Sequence, residues 1–322
     1  MTTLKPPTLK EIRCAAQRLK SIIARTPLIR LDIEDAPGEI YLKMENLQPI
    51  GAFKVRPAAN AILNAPPAAI APGVYTASSG NMAQGVAYTA RSLGVPATVL
   101  LPTDAADTKV ESLRRLGAEI RFLDDQQWWR VLADYGYPGI AGLFIHPVAH
   151  PDVIAGNATV GLEIHAALPD VDTVLVPFGG GGLSSGIAAA LRALGSTARV
   201  LGSESDHCAP LAAALAAGRP VEVPIQPSFV SGIGVGRVLP EMWPLVRELI
   251  DGSVIASAHE ISDAIRLLFE RHRVLAEGAG AAPVAAALNG RAGNGKIVCV
   301  ISGGNLNPAS LDAILDGRLP VP

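Results

Sequence analysis

Short apolar strands alternate with amphipathic helices along most of this chain, and that alternation constrains the fold more than any other feature of the sequence. Residues 74–77 lead into a helical pattern that ends at Gly94, and residues 97–101 lead into one that ends at Gly117. A strand followed by a helix usually rejoins its sheet in the parallel direction, because the helix carries the chain back across the sheet. We therefore predict an α/β protein whose sheets are open, mostly parallel and flanked by helices.

The alternation divides into two series, and this division predicts two lobes. A chain of 322 residues is long for one hydrophobic core, and the proline-containing segment at 146–151 suits a crossing between lobes. We predict a small lobe at 51–145 and a large lobe formed by 1–50 together with 146–322. The predicted strands are 41–44, 74–77, 97–101, 119–123, 173–176, 199–202 and 296–301, and the predicted helices are 56–63, 82–93, 109–116, 183–194, 210–217, 258–271 and 281–288, after a first helix capped by Thr8.

Charge and hydrophobicity exclude several classes of partner. The formal net charge is -2 and no basic run is present, so neither nucleic acid nor an anionic membrane is an expected partner. No uninterrupted apolar run reaches membrane-spanning length, and residues 1–7 lack the apolar segment of a signal peptide. The widely spaced Cys14, Cys208 and Cys299 indicate buried thiols in a reducing compartment. We expect a cytoplasmic protein that acts on a small molecule.

A run of four glycines is the strongest local signal of a binding site. Gly179, Gly180, Gly181 and Gly182 stand between a hydrophobic strand and the start of a helix. Glycines let successive backbone N–H groups converge on one anion, and the N-terminal end of a helix adds its positive partial charge. An ordinary strand-to-helix turn needs fewer glycines, so we expect this run to bind a phosphate group.

Two polar turns and one lysine accompany the glycines. The turns at residues 78–81 and 302–305 each follow a strand, and in open parallel sheets ligands bind at the carboxyl ends of strands. Their hydroxyl and amide groups suit a small anionic substrate, although serine and asparagine also favour such positions as helix caps. Lys54 follows an aromatic residue and has apolar neighbours. Burial of such an amine lowers its pKa and makes it a nucleophile.

The remaining sequence offers little for metal or dinucleotide chemistry. His146 and His150 are four residues apart, but Pro147 and Pro151 prevent the helix that would place both on one face. Glu204 follows the glycines at a separation that suits a ribose-binding acid, yet the glycine run does not match G-x-G-x-x-G. A nicotinamide dehydrogenase is therefore a distant alternative, and we expect no metal site.

Four motifs in a fixed order resemble one enzyme family. They are Lys43-x-Glu45 with Gln48 and Gly51-x-Phe53-Lys54-x-Arg56, then Ser78-Ser79-Gly80-Asn81, the four glycines, and Ser302-Gly303-Gly304-Asn305. Together with residues 152–159 and 276–281, they resemble the fold-type II pyridoxal-phosphate (PLP) enzymes, in the branch of serine/threonine dehydratases (ammonia-lyases) and serine racemase. The resemblance covers residues 25–305 and implies a two-lobed fold like that of tryptophan synthase β, with PLP as the cofactor.

The resemblance also implies a role for each matched residue. Lys54 is expected to bind the cofactor covalently and to carry the Cα proton, while Ser79 is a second catalytic acid/base. The substrate carboxylate is expected at Ser78, Ser79, Met82 and the neighbouring backbone N–H groups. The implied cofactor contacts are Phe53 against the ring, Asn81 on the 3-hydroxyl, Gly179 to Gly182 on the phosphate and Ser302 at the pyridine nitrogen, with Glu277 and Gly303 as further cofactor-binding residues.

A serine at the pyridine nitrogen indicates the type of reaction. The hydroxyl of Ser302 cannot protonate the ring as a carboxylate can, so the cofactor is a weaker electron sink and a β-leaving group is expelled promptly. The implied activity is β-elimination of a 3-hydroxy amino acid, of the serine or threonine type, to a 2-oxo acid and ammonia. We expect the enzyme to be a homodimer or a higher homo-oligomer.

Five residues depart from what is usual in the family, and they leave the substrate open. These departures predict an altered pocket wall and lobe joint, so that a bulkier substrate, an aryl-serine such as phenylserine, is an alternative to serine or threonine. They are Ala52, Pro57, Met82, Asn157 and Asn307.

Two other functions stay open as alternatives. Ser79 stands where serine racemase has its second acid/base, so an amino acid racemase that uses Lys54 and Ser79 is the main alternative. A non-catalytic protein that binds PLP or an amino acid is a remote one. The divalent-metal site of the racemases is not expected, because the later acidic ligand after Glu204 falls near Pro210.

Overall fold

In the computed structural model, which describes residues 4–321, strands and helices alternate as the sequence predicts. The strands are β1 (Leu28–Arg30), β2 (Glu39–Lys43), β3 (Val74–Ala77), β4 (Ala97–Pro102), β5 (Glu119–Leu123), β6 (Leu143–Phe144), β7 (Thr173–Pro177), β8 (Arg199–Ser205), β9 (Gly252–Ala256) and β10 (Lys296–Val300). The helices are α1 (Leu9–Leu19), α2 (Val55–Asn64), α3 (Pro67–Ile70), α4 (Asn81–Leu93), α5 (Asp107–Arg115), α6 (Asp125–Asp134), α7 (Pro151–Ala167), α8 (Gly182–Ala193), α9 (Pro210–Ala217), α10 (Trp243–Leu249), α11 (Ala258–His272), α12 (Gly278–Leu288) and α13 (Pro308–Leu315). Short 3-10 helices lie at Glu45–Leu47 and Ser231–Ile233.

The strands of the described residues form two sheets. A six-stranded sheet has the order β1-β2-β10-β7-β8-β9, and a four-stranded sheet has the order β5-β4-β3-β6. Neighbouring strands run parallel in both sheets, except that β1 pairs antiparallel with β2. Helices between the strands carry the chain across each sheet, which is why the pairing is parallel. The predicted α/β class, with two open and mostly parallel sheets, is confirmed.

Each sheet takes its strands from the residues of one predicted lobe. Strands β3 to β6 lie within 51–145, whereas the six-stranded sheet takes strands from both sides of that range. The boundaries at 50/51 and 145/146 stay a prediction, and residues 1–3 and 322 of the predicted large lobe lie outside the described residues. Within residues 4–321, no helix is long and apolar enough to cross a membrane.

Several elements were not predicted, and one prediction about a cysteine was wrong. Helix α7 is buried on most of its sides, so its sequence lacks the polar stripe that marks an amphipathic helix. Strands β1 and β6 are too short to produce a pattern. Cys14 is exposed, because it lies on the outer side of α1, while Cys208 and Cys299 are buried. The other elements absent from the prediction are α3, α6, α10, α13 and β9.

Helix α2 is held between α4 and α7 by two glycines that permit a close approach of backbones. A Cβ atom on Gly85 of α4 would lie 2.7 Å from the carbonyl oxygen of Lys54. A Cβ atom on Gly156 of α7 would lie 2.7 Å from the carbonyl oxygen of Arg56 and 2.8 Å from the Cα atom of Pro57. Because these neighbours are backbone atoms, they cannot rotate away. The first turn of α2 therefore has a fixed position between its two neighbours.

We expect Gly156→Ala to lower the free energy of unfolding by about 1–3 kcal/mol, because the added methyl group forces α7 away from α2. The measurement is urea unfolding followed by circular dichroism. The matched control is Gly252→Ala, since a Cβ atom there meets only a Leu201 side-chain carbon at 3.4 Å. Equal stability of the Gly156→Ala and Gly252→Ala proteins would contradict the close approach.

Candidate active site

The segment before α2 is hydrogen-bonded to the segment after β10. The Phe53 N–H donates to the carbonyl oxygen of Ser302 at 2.9 Å, and residues 51–53 run antiparallel to residues 302–304. This pairing places Lys54, the N-cap residue of α2, at the carboxyl end of β10. Ligands of parallel sheets bind at such strand ends. Two of the sequence motifs thus meet at one place.

The amine of Lys54 is half-buried and has one hydrogen-bond partner among residues 4–321. Its Nζ atom donates to the carbonyl oxygen of Pro147 at 2.9 Å and lies 5.3 Å from the centroid of the Phe53 ring. Removal of the charged amine from water lowers the pKa of Lys54 to about 8. A substantial fraction of the amine is therefore uncharged near neutral pH, which nucleophilic chemistry requires.

His146 forms an uncharged wall beside this lysine. Its Nδ1 atom accepts hydrogen bonds from the N–H groups of Val148, at 3.1 Å, and Ala149, at 2.7 Å. Its ring stacks on the Tyr135 ring with 4.7 Å between centroids. Burial, together with the charge of Lys54, lowers the pKa of His146 to about 3. The sequence singled out this histidine only as a poor metal ligand, and its place next to Lys54 was not predicted.

The four glycines form a cradle (the glycine cradle, Gly179 to Gly182) at the start of α8. A Cβ atom on Gly180 would lie 2.6 Å from a methyl carbon of Val148, and Gly181 has a φ of 84°, which side chains disfavour. Within the described residues, the N–H groups of Gly180, Gly181 and Gly182 have no protein acceptor. Three backbone donors at a helix N-terminus form a site for an anion.

A buried amide adjoins the glycine cradle. The side chain of Asn157 is 1% exposed, and within residues 4–321 its Oδ1 atom has no hydrogen-bond partner. Its Nδ2 atom lies 3.3 Å from where a Cβ atom on Gly182 would stand. An unpaired buried oxygen costs free energy, so a bound group or water is expected to donate to it. The glycine cradle is thus arranged to bind a ligand or water.

Asn81, at the start of α4, is held by the N-cap residue of α12 and by the turn after β10. Its Oδ1 atom accepts from Nδ2 of Asn305 at 2.8 Å, and its Nδ2 donates to Oε1 of Glu277 at 2.8 Å. The two bonds fix which way the amide points, and one Nδ2 hydrogen remains available. Gly303 leaves room for the carboxyl group, because a Cβ atom there would overlap Glu277.

The carboxyl group of Glu277 titrates near neutral pH. Burial raises the pKa of Glu277 to about 7, while the hydrogen bond from Asn81 and the charge of Lys109 partly oppose the rise. Gly232 lies next to this carboxyl group and next to Gly179. The glycine cradle and Glu277 therefore lie close together. The space between them, Lys54 and Ser302 is called the cleft below.

The serine turn before α4 presents hydroxyl groups and free backbone donors. Ser78 and Ser79 are half-buried, and within residues 4–321 the Ser79 hydroxyl and the N–H groups of Asn81 and Met82 have no protein partner. The predicted contact of Met82 with substrate stays a prediction. Its side chain is 2% exposed and packs in a core cluster of the small sheet, while its backbone N–H is free to meet a ligand.

Ser302 faces the cleft from the end of β10. The residue is 3% exposed, and its hydroxyl group has no hydrogen-bond partner among the described side chains and backbone groups. The carbonyl oxygen of Gly303 accepts from the Glu277 N–H at 3.0 Å, which holds α12 against the same turn. The free hydroxyl is thus presented by a rigid turn.

These residues fit the cofactor that the resemblance implies. The cleft offers a half-buried amine, backbone donors for a phosphate, an oriented amide and an unpartnered hydroxyl, each on a different element. The unpaired Oδ1 atom of Asn157 and the free N–H groups of the glycine cradle are the observations that carry this fit. Lys54, Asn81, Ser302 and the cradle, which the sequence predicted as separate motifs, lie around one cleft.

Glu204 serves as a cap of α9. Its carboxylate accepts from the N–H groups of Leu211 at 2.7 Å and Ala212 at 2.9 Å, and from the Ser253 hydroxyl at 2.5 Å. The carboxylate therefore stabilises the start of a helix. Among residues 4–321, no group of three or more His, Cys, Asp or Glu side chains is arranged to hold a metal ion.

Comparison with known proteins agrees with this geometry. The family model described as pyridoxal-phosphate dependent enzyme matches residues 19–303. The chain is 40% identical to an L-threonine ammonia-lyase of Thermotoga maritima over 97% of this chain and 79% of that protein. It is 36% identical to a catabolic L-threonine dehydratase of Escherichia coli over 96% of both. The structure of maize serine racemase superimposes with a TM-score of 0.87 at 31% identity, over 95% of this chain and 96% of that one.

We expect the amine of Lys54 to react with an acylating reagent with a midpoint near pH 8, because burial disfavours its charged form. The measurement is competitive labelling of the full chain, freed of cofactor, followed by mass spectrometry of the peptides. Lys296 is the internal control, since its ion pair with Asp170 raises its pKa. Equal midpoints for the two lysines would show that the amine of Lys54 is not buried.

Proposed function

Since the chain belongs to the family of pyridoxal-phosphate dependent enzymes and is a PLP-dependent ammonia-lyase, we propose that it converts L-threonine and L-serine to the corresponding 2-oxo acid and ammonia. The observation that supports this most is the pairing that brings the amine of Lys54 to the turn with the unpartnered hydroxyl of Ser302. The names of the similar threonine ammonia-lyase and threonine dehydratase support the choice of substrate.

Lys54 is the residue proposed to bind the cofactor and to move the proton. Bound PLP supplies an electron sink for the negative charge that develops when Cα loses its proton. The Nζ atom of Lys54 would accept that proton. An amine with a pKa of about 8 is suited to accept and return a proton near neutral pH. The carbonyl oxygen of Pro147 holds the amine in place through one hydrogen bond.

The substrate carboxylate is proposed to bind at the start of α4. The N–H groups of Asn81 and Met82 point out of the first turn of that helix, and the hydroxyl groups of Ser78 and Ser79 lie just before it. A carboxylate there accepts hydrogen bonds and gains from the positive end of the helix. The substrate is then held at the start of α4, while the side chain of Lys54 reaches it from the start of α2.

The other cofactor contacts keep the roles that the motifs predict. The glycine cradle would hold the phosphate group, Phe53 would pack against the ring and Ser302 would meet the pyridine nitrogen, with Gly303 beside it. Asn81 would donate its free N–H to the ring hydroxyl. Glu277 acts on the cofactor through Asn81, whose amide it orients together with Asn305.

The surroundings of the five atypical residues favour threonine or serine over an aryl-serine. Ala52 is fully buried in the bridge to Gly303, and the Met82 side chain lies in a core. Pro57 faces α7, Asn157 lies behind the glycine cradle and Asn307 caps α13. These positions serve packing, capping and the glycine cradle, so the departures give no support to a bulkier substrate side chain. Phenylserine is the comparison substrate that tests this conclusion.

Amino acid racemisation is the second candidate, and the free hydroxyl of Ser79 favours it. An acid on the face of Cα opposite to Lys54 can return the proton with inverted configuration. The similarity to the structure of maize serine racemase agrees with this candidate. The cytoplasmic location and the homo-oligomeric state predicted from the sequence also stay proposals, which fractionation and light scattering of the purified protein can test.

We expect Lys54→Ala to lower kcat for release of 2-oxobutanoate from L-threonine by at least about a thousandfold, because the variant loses the amine that is proposed to bind the cofactor and to move the Cα proton. The 2-oxo acid is measured with a coupled dehydrogenase, and ammonia is measured in parallel. Lys296→Ala is the matched control, because that lysine lies at the opposite end of β10. The lyase proposal fails if Lys54→Ala keeps turnover or if no hydroxy amino acid, including phenylserine, yields a 2-oxo acid.

We expect Ser79→Ala to abolish racemisation of L-serine, followed by chiral chromatography, while the lyase rate stays within about tenfold of that of the wild type. The reason is that elimination needs the base on one face only. Ser92→Ala, an exposed hydroxyl on α4, is the control. Racemisation that survives in Ser79→Ala rules out its role as the second acid/base.

A further inference from the structure

Four charged side chains are buried together at the start of α2, and one of them lies two residues after Lys54. The group (the charge quartet) contains two cations and two anions, and three of its members are at most 1% exposed while the fourth is 16% exposed. Burial of charges is costly unless they are paired. Such a cluster adds little to stability compared with apolar packing, so its value lies in where it holds the chain. Its members are Lys43, Glu45, Arg56 and Glu163.

Arg56 is the centre of the charge quartet and lies in the first turn of α2. Its guanidinium group donates to both carboxylate oxygens of Glu45, at 2.7 and 2.8 Å, and to both of Glu163, at 2.8 and 2.9 Å. A further bond of 3.1 Å reaches the Thr159 hydroxyl. Two forked pairs at one planar group leave it a single orientation. Arg56 thus joins α2 to α7 and to the 3-10 turn after β2.

Lys43 completes the charge balance from β2. Its Nζ atom donates to Glu163 and, at 2.7 Å, to the carbonyl oxygen of Thr26. Burial alone would raise the pKa of Glu45, yet Arg56 beside it holds that pKa below its ordinary value, so the carboxylate is charged. Burial lowers the pKa of Lys43, and the carboxylates of Glu45 and Glu163 oppose that fall. With all four groups ionised, two positive and two negative charges cancel within the charge quartet.

The cancellation matters because Arg56 is two residues from Lys54. Burial is the cause of the lowered pKa of Lys54. His146 before α7, whose pKa is lowered by burial and by the charge of Lys54, is uncharged. Among residues 4–321, Arg18 of α1 and Asp152 of α7 also contact α2, and both bind an asparagine toward its C-terminal end.

We propose that Arg56 is a positioning residue for the catalytic lysine: the charge quartet fixes the first turn of α2, and its zero net charge limits the electrostatic potential that the four charges together exert on Lys54. This inference deepens the proposed function and rests on it for the kinetic measurement alone. It concerns a part of the sequence motif, Lys43-x-Glu45 and Arg56, to which the cofactor and substrate contacts assign no task.

The electrostatic part of the proposal is tested with two single variants, one of which loses a negative charge and the other a positive charge. We expect Glu163→Gln, which leaves one net positive charge, to lower the labelling midpoint of Lys54 by about half a pH unit. Lys43→Met, which leaves one net negative charge, is expected to raise it by a similar amount. The double variant restores neutrality and is expected to return to the wild-type midpoint. Loss of packing alone would move both single variants in the same direction, and that result overturns the proposal.

The positioning half is tested by Arg56→Lys, which keeps the charge and loses the forked geometry. We expect kcat for L-threonine to fall about tenfold or more with KM changed less than about twofold, because the amine is displaced and the carboxylate site on α4 is not. The visible absorbance of the holoenzyme, recorded as a function of pH, supplies a readout independent of turnover and is expected to change in the same variant.

Two outcomes separate this proposal from the lyase function. Wild-type protein without lyase activity defeats the proposed function but leaves the labelling midpoints as a test of the charge quartet. An active wild type with an Arg56→Lys variant of unchanged kcat and absorbance overturns the positioning role alone. Where Glu163→Gln or Lys43→Met does not fold, as judged by circular dichroism, the neutral double variant still tests the electrostatic part and Arg56→Lys still tests the positioning part.

Discussion

The short antiparallel pairing between residues 51–53 and 302–304 is the contact on which the rest of the site depends. It attaches the segment that carries Lys54 to the end of a central strand of the larger sheet. Neither segment is a regular strand, so the pairing exists only because both chain segments meet at the carboxyl end of β10. Once it is made, the amine and the Ser302 hydroxyl share one cleft and the remaining contacts follow from helix packing.

Small residues and buried charges then fix the position of α2, and with it the position of Lys54 at its N-terminal end. Gly85 and Gly156 let two helices approach its backbone, and Arg56 fastens its first turn to α7. Pro57 is tolerated there because the first turn of a helix has N–H groups without intrahelical acceptors. The glycines bring the helix backbones close together, and the forked hydrogen bonds fix the orientation of the first turn of α2. The flexible side chain of Lys54 therefore starts from a rigid backbone.

Prediction from sequence succeeded where the signal is local and failed where it depends on distant residues. Strand β3 and the start of α8 follow from an apolar run and from glycines, and both were predicted within a residue. Helix α7 was missed because burial on most sides removes its periodicity. The bond between Asn81 and Glu277 spans 196 positions, and that between Arg56 and Glu163 spans 107. No local pattern contains such a pair.

The sequence by itself determined the α/β class, the glycine cradle, the lysine and the serine turn, because each depends on residue types within one short segment. Their ordered combination also identified the family. Only the tertiary structure decided that the Met82 side chain belongs to a core, that Glu277 is raised to a pKa of about 7 and that His146 stands uncharged beside Lys54. These properties arise from burial and from neighbours brought by other strands and helices, and such neighbours exist only in the folded chain.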